Sequence, residues 1–404
     1  MIKDEEKQIA PAMRASMADY LSPQVRAIKP SGIRRFFDLA SGRKDIITLG
    51  VGEPDFVTPW HVREACVYAL EMGKTQYTSN AGTPELREEI GYYLHSQFDV
   101  TYDPGKEIIV TVGGSEAIDL ALRALIAPGD EILVPEPCYI SYSPITSLSG
   151  GVPVGVETFA KDQFKLTAES LRASITPRSK VLILCYPSNP TGGIMTYEDW
   201  LPIAKVVEEN DLIVISDEIY AELTYGTKHV SFAAMPGMKD RTILVSGFSK
   251  SFAMTGWRIG YACGHPDLIS AMLKIHQYTV MCASNMAQVA ALEALRNGME
   301  EKNRMVESYN QRRRLVVHGF REIGLQCHEP QGAFYAFPSI AGFGLTSEEF
   351  ATGLLNDQKV AAVPGDVFGL GGEGHLRCSY ATSVTLITEA IERIGLYVRK
   401  LKGE

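Results

Sequence analysis

Lys250 and Arg258 stand eight residues apart, in Ser246-Gly-Phe-Ser249-Lys250 and the following Gly256-Trp257-Arg258-Ile-Gly260, directly after an apolar run at 242–246. An enclosed lysine loses its charge readily and becomes a base or nucleophile. A planar guanidinium matches a phosphate dianion through paired hydrogen bonds. Asp217 lies just beyond another apolar run, where burial is costly without a partner; a helix cap is the competing reading. Gly113-Gly114-Ser115 suits an anion held at a helix N-terminus, or a plain glycine turn with a serine cap. Asn189, in Tyr186-Pro-Ser-Asn-Pro-Thr-Gly192, reads alone as a turn residue.

These residues share a place in the pattern. Ile108–Val112 reads as a strand and Glu116–Ile126 as a helix with Ile118, Ala121, Leu122 and Leu125 on one face. After the Pro128-Gly129-Asp130 turn, strands are expected at 131–134, 181–185, 212–216 and 242–246, with helices near 167–173 and 197–209. The strand runs are apolar throughout, as for strands buried on both faces of a mainly parallel sheet. The fold class is therefore α/β, doubly wound, and ligands of such sheets bind beyond the carboxyl ends of the strands. Residues 284–324 read as helical, with Arg312-Arg313-Arg314 on a solvated face, and 330–404 return to short strands and helices. The expected division is a large domain at 55–295 and a smaller α+β domain from 1–54 and 296–404, although pattern alone does not say where 1–54 packs.

Composition narrows the class. A net charge of −9 offers no basic footprint for nucleic acid. Seven scattered cysteines contain no C-x-x-C pair, so neither a disulfide framework nor a zinc site is supported. Residues 1–24 lack the apolar stretch of a signal peptide, and no run approaches the ~20 residues of a spanning helix. A cytoplasmic location is the default expectation.

Ser249-Lys250-x7-Arg258-x-Gly260, with Gly52-Glu-Pro-Asp-Phe56, Tyr77, Asn80-Ala-Gly82, Asn189-Pro-Thr-Gly192, Asp217-Glu-Ile-Tyr220 and Gly332-Ala-Phe-Tyr335 in order, resembles class I, fold-type I pyridoxal-phosphate aminotransferases. The likeness runs from about residue 30 to 395 and is nearest to the aspartate, aromatic and N-acetyl-diaminopimelate subgroup. The resemblance implies that Lys250 forms the Schiff base with pyridoxal 5'-phosphate and then moves the proton. Asp217 would pair with the pyridine nitrogen. Asn189 and Tyr220 would bond the phenolic oxygen, and Tyr139 would lie on the ring face. Arg258, Ser249, the backbone at Gly114 and Ser115, and Tyr77 from a neighbouring subunit would hold the phosphate. Arg377, in isolation an exposed strand residue, becomes the clamp for the α-carboxylate, assisted by backbone at Gly52. The implied activity moves an amino group between an L-amino acid and a 2-oxo acid, 2-oxoglutarate and glutamate forming one pair, in a homodimer.

Two positions depart from the pattern. Gly247 replaces the first serine of the usual Ser-x-Ser-Lys. Ser115 stands where some aspartate aminotransferases carry a lysine for the distal carboxylate. The competing chemistry on this fold is a carbon-sulfur lyase or a decarboxylase. A nicotinamide oxidoreductase is rejected: Gly369-x-Gly371-x-x-Gly374 precedes a strand instead of opening a helix.

Overall fold

A computed structural model describes residues 16–30, 32–33, 43 and 45–404. Seven strands form the main sheet in the order β2-β8-β7-β6-β5-β3-β4. They are β2 (Ile108–Thr111), β3 (Glu131–Glu136), β4 (Val152–Glu157), β5 (Ser179–Cys185), β6 (Ile213–Asp217), β7 (Thr242–Gly247) and β8 (Gly260–Cys263). All pairings are parallel except those of β8, which runs antiparallel to both β2 and β7.

The apolar runs are explained by what covers them. Ile183 packs with Ile118, Leu122 and Met272 on one face of the sheet, while Leu182 and Leu184 pack with Trp200 and Ile203 on the other. Both faces are covered by helices, so alternation is not required. The helix after β2 spans Gly113–Leu125 and so begins three residues before the expected Glu116. Gly113 takes φ +77°, and Glu116 reaches back to the Val112 N–H at 2.5 Å, so the glycine turn becomes the first helical turn.

A second core joins the chain's two ends. β1 (Ile47–Thr48) pairs in parallel with β10 (Val360–Ala361), and β9 (Tyr335–Ala336), β12 (Leu376–Ser379) and β11 (Val363–Pro364) make an antiparallel trio. Ile47 and Leu49 share a cluster with Phe320, Phe334, Phe350, Leu376 and Val398. Residues 1–15, 31, 34–42 and 44 of the expected N-terminal portion lie outside the described residues.

The helical stretch at 284–324 is two helices, Asn285–Asn297 and Met299–Glu322. The solvated arginine face is a mistaken expectation for two of three residues. Arg312 is buried, bonded to Asp55 at 2.8 and 2.9 Å and lying against Phe56 and Tyr309. Arg313 is buried on Asn310, Glu329 and the Pro330 carbonyl; only Arg314 is exposed. The partners that remove these charges from water are remote in sequence, Asp55 by 257 positions. Gly369–Gly374 forms a turn ahead of β12, as its context indicates.

Candidate active site

One cavity of about 810 Å³ lies at the carboxyl edge of the main sheet. Gly52, Gly114, Ser115, Tyr139, Asn189, Asp217, Tyr220, Ser249, Lys250, Arg258 and Arg377 all line it. Tyr77 does not: its side chain is 79% exposed. The topology explains the convergence. β2, β3, β5, β6 and β7 point their carboxyl ends at this edge, whereas antiparallel β8 starts there, which delivers Arg258 just before its first residue.

Close backbone approach depends on a stack of glycines. A Cβ on Gly260 would stand 2.7 Å from both the Gly113 carbonyl carbon and the Gly114 nitrogen. A Cβ on Gly113 would stand 2.7 Å from Arg258 Nη2, and one on Gly247 would meet the Gly260 Cα at 2.9 Å. The departure at Gly247 thus has a physical reason: β7 and β8 pair there back to back, leaving no room for a serine side chain.

Lys250 Nζ donates to the Gly52 carbonyl at 2.7 Å. Burial, reinforced by the Arg377 and Arg258 charges, lowers its pKa to about 8 against the opposing pull of Glu53 and Asp217. Asp217 is buried at the end of β6. Its Oδ2 accepts from Tyr142 Oη at 2.7 Å and its Oδ1 from the Ile219 N–H at 3.2 Å. Burial still pushes its carboxyl up to about 6, since the hydrogen bonds offset only part of the lost hydration. Asp217 is no helix cap, because no helix follows it.

Arg377 is buried, so the exposed-strand reading fails. Its Nη1 donates to Asn189 Oδ1 at 3.0 Å and its Nη2 to the Gly50 carbonyl at 2.6 Å. The guanidinium lies 4.6 Å from the Tyr335 ring centroid and 5.0 Å from that of Phe368. Its Nε is buried without a partner. The contact with Asn189 turns that residue's oxygen toward Arg377 and its amide nitrogen away. Tyr220 and Tyr335 share a hydrogen bond between hydroxyls at 2.9 Å.

Tyr142 and the cavity roles of Tyr335, Glu53 and Ile33 were not read from sequence. Tyr335 stood inside a quoted motif, and Glu53 beside Gly52, so both had a signal. Tyr142 had only its place three residues after Tyr139. Ile33 packs with Phe164, Phe337 and Phe368, contacts no local pattern announces.

A lysine of lowered pKa, a buried carboxylate and two arginines at the carboxyl edge of a doubly wound sheet make a site suited to acid–base chemistry on anionic ligands. The chain belongs to the class I and II aminotransferase family, which it matches over residues 44–394. It is 55% identical to the putative aminotransferase YugH of Bacillus subtilis, over 95% of this chain and 100% of that one. It is 44% identical to a probable N-acetyl-LL-diaminopimelate aminotransferase of the same organism, over 95% of this chain and 97% of that one. The crystal structure of an aromatic aminotransferase from Pyrococcus horikoshii superposes with a TM-score of 0.87 at 41% identity, covering 92% of this chain and 99% of that one. The protein is a pyridoxal-phosphate-dependent aminotransferase, and the lyase and decarboxylase alternative is not favoured. Among the described residues no helix is long and apolar enough to cross a membrane, and no group of side chains suits a metal ion.

Proposed function

We propose that Lys250 carries pyridoxal phosphate and moves the α-proton of the amino donor. The observation that carries this reading is a lysine with its pKa lowered to about 8 in the same cavity as a buried aspartate. A base poised near neutrality can both take and return a proton. The donor set fits the cofactor: an amine for its aldehyde, Asp217 for its pyridinium, and Arg258 pressed to the glycine turn for its phosphate. When bound, the cofactor supplies an electron sink for the pair left on the donor's α-carbon.

The chain's own groups do the rest. Asp217 would meet the pyridinium in the loaded site, which would draw its raised pKa back down and keep the carboxylate ionised. Asn189 and Tyr220 hold the phenolic oxygen, and Tyr139 covers the ring. Ser249 and the backbone at Gly114 and Ser115 share the phosphate with Arg258. Arg377, its Nη groups oriented by Asn189 and Gly50, clamps the α-carboxylate while backbone at Gly52 assists. Borohydride reduction of the coloured protein is expected to fix a pyridoxyl group on the Lys250 peptide; label on another lysine removes Lys250 from this role.

The same reading extends to organisation. We infer a cytoplasmic homodimer, with large and small domains at 55–295 and at 1–54 plus 296–404. Seven free cysteines suit a reducing compartment. Val57, Trp60, Tyr68, Met72, Tyr77 and Tyr278 are large apolar side chains more than half exposed, which suits burial against a second copy. Tyr77 would then reach the neighbour's phosphate. Mixing Lys250→Ala with a Tyr77-crippled variant is expected to restore activity through hybrid sites. A fully active monomer would end the shared-site picture. The donor is proposed to be large, aromatic or long-chain, at least as good as aspartate, with 2-oxoglutarate and glutamate as the other pair.

A further inference from the structure

Glu116 is an oddly placed charge. It stands in the first turn of the helix Gly113–Leu125, whose opening residues Gly114 and Ser115 line the cavity, so an uncompensated carboxylate there would repel a phosphate. Both of its oxygens are engaged. Oε2 accepts the Val112 N–H at 2.5 Å, and Oε1 lies 2.9 Å from Nδ1 of His276. His276 comes from the neighbouring helix Pro266–Thr279, is wholly buried, and has no partner for its Nε2. An ionised carboxylate only accepts, so Nδ1 carries the proton in this contact. This carboxylate is the hydrogen-bond partner of the buried His276 side chain, whose ring is otherwise enclosed.

The turn that the pair holds is otherwise constrained at the backbone. Thr111 Oγ1 donates to the Gly113 carbonyl at 3.0 Å, and Gly113 has a positive φ. Val112 supplies the N–H just outside the helix, an orphan donor that Glu116 satisfies. With Val112 fixed, the following N–H groups remain for an anion.

We propose that Glu116 and His276 are positioning residues of the phosphate site: Glu116 fixes the Val112 amide, and His276 holds the carboxylate turned away from the bound anion. The proposal rests on the assignment of the phosphate to the Gly113–Ser115 turn. It touches no reacting atom, so its signature is the affinity for phosphate and not for the pyridine ring.

The test compares binding of pyridoxal 5'-phosphate and of pyridoxal to the cofactor-free protein by fluorescence titration. Wild type is expected to prefer the phosphorylated form; if it shows no preference, the assignment of the phosphate to this turn fails. Glu116→Ala removes the cap and is expected to reduce that preference about tenfold, the size of a lost helix cap. Glu116→Gln keeps an acceptor for Val112 and is expected to restore it to within about threefold. His276→Leu is expected to weaken the phosphorylated form alone, and the weakening should shrink when Glu116→Gln is added, because the unheld charge is gone. A Glu116→Ala protein that keeps its full preference, or loses affinity for both compounds equally, overturns the inference while leaving the phosphate assignment standing. Should His276→Leu fail to fold, the Ala and Gln variants decide alone.

Discussion

The floor and the wall of the cavity are built on different terms. The floor, at the strand ends of the main sheet, holds Asp217 and Lys250 in forms that burial disfavours, their pKa values displaced toward each other to about 6 and about 8. The wall, from residues 50–52 and β9 and β12, holds Arg377 on Asn189, Gly50 and two aromatic rings, with only Nε unpartnered. The floor is poised for proton transfer and pairing with a charged ligand. The wall is set beforehand for recognition. A site that reacts needs unmet electrostatic demand, whereas one that recognises needs fixed geometry.

The largest effect that separates the two is expected at the wall. Arg377→Leu removes two charge-assisted bonds to the α-carboxylate, about 3–6 kcal/mol, so kcat/KM should fall by about two to four orders of magnitude. The absorption spectrum of the bound cofactor should not change, because the floor is untouched. Steady-state kinetics beside a spectrum checks this. Near-normal kinetics would remove Arg377 from the substrate site and dissolve the distinction.

The floor should respond in the opposite sense to its loss. Burial raises the Asp217 carboxyl from its ordinary 3.8 to about 6, so between those pH values the folded chain holds a proton that the unfolded chain has lost. Stability from this group therefore falls as pH rises through that window, and above pH 6 the full penalty, about 3 kcal/mol, is present. Asp217→Asn should thus raise the melting temperature of the cofactor-free protein at pH 7.5 by about 2–4 °C, with the gain gone by about pH 4, while transamination collapses. Scanning calorimetry of both proteins at the two pH values measures it. An unchanged or lower melting point at pH 7.5 would mean that Tyr142 and the Ile219 amide already satisfy the ionised carboxylate.

The same contrast governs what the sequence could reveal. Floor residues follow apolar runs, and their position at strand ends is a consequence of sheet rhythm. Local pattern plus the rule for open sheets thus brought Asp217, Lys250 and Arg258 forward as candidates, and the family resemblance decided between site and cap or surface. Wall residues sit on two- and four-residue strands, whose partners lie far along the chain: Gly50 is 327 positions from Arg377. Periodicity cannot reach across such a distance, and only the family resemblance singled out Arg377. Arg312 failed for the same reason, since its burial depends on Asp55. The start of the helix at Gly113 was misjudged because Glu116 satisfies Val112 through its side chain, which shifts a boundary without altering the apolar pattern.

The smallest expected effect lies where floor meets substrate, at Ser115. Its side chain is exposed in the cavity, short and uncharged, so nothing at this position pairs with a second carboxylate on the donor. The charged groups that line the cavity with it are Glu53, Asp217, Lys250, Arg258 and Arg377. Every cation among them has a proposed task elsewhere, so none of these lining residues is left over to pair with the distal carboxylate of aspartate. Ser115→Lys would add one, but in partial contact with water and near Arg258, so the gain is expected to be at most about tenfold in the ratio of aspartate to aromatic donor. The measurement is kcat/KM for a donor panel with 2-oxoglutarate as acceptor, on both proteins. A larger shift would mean that the position is drier than its exposure implies. Strong preference of the unaltered enzyme for aspartate over every larger donor would show that another basic residue reads the distal group, and the argument from Ser115 would then be wrong.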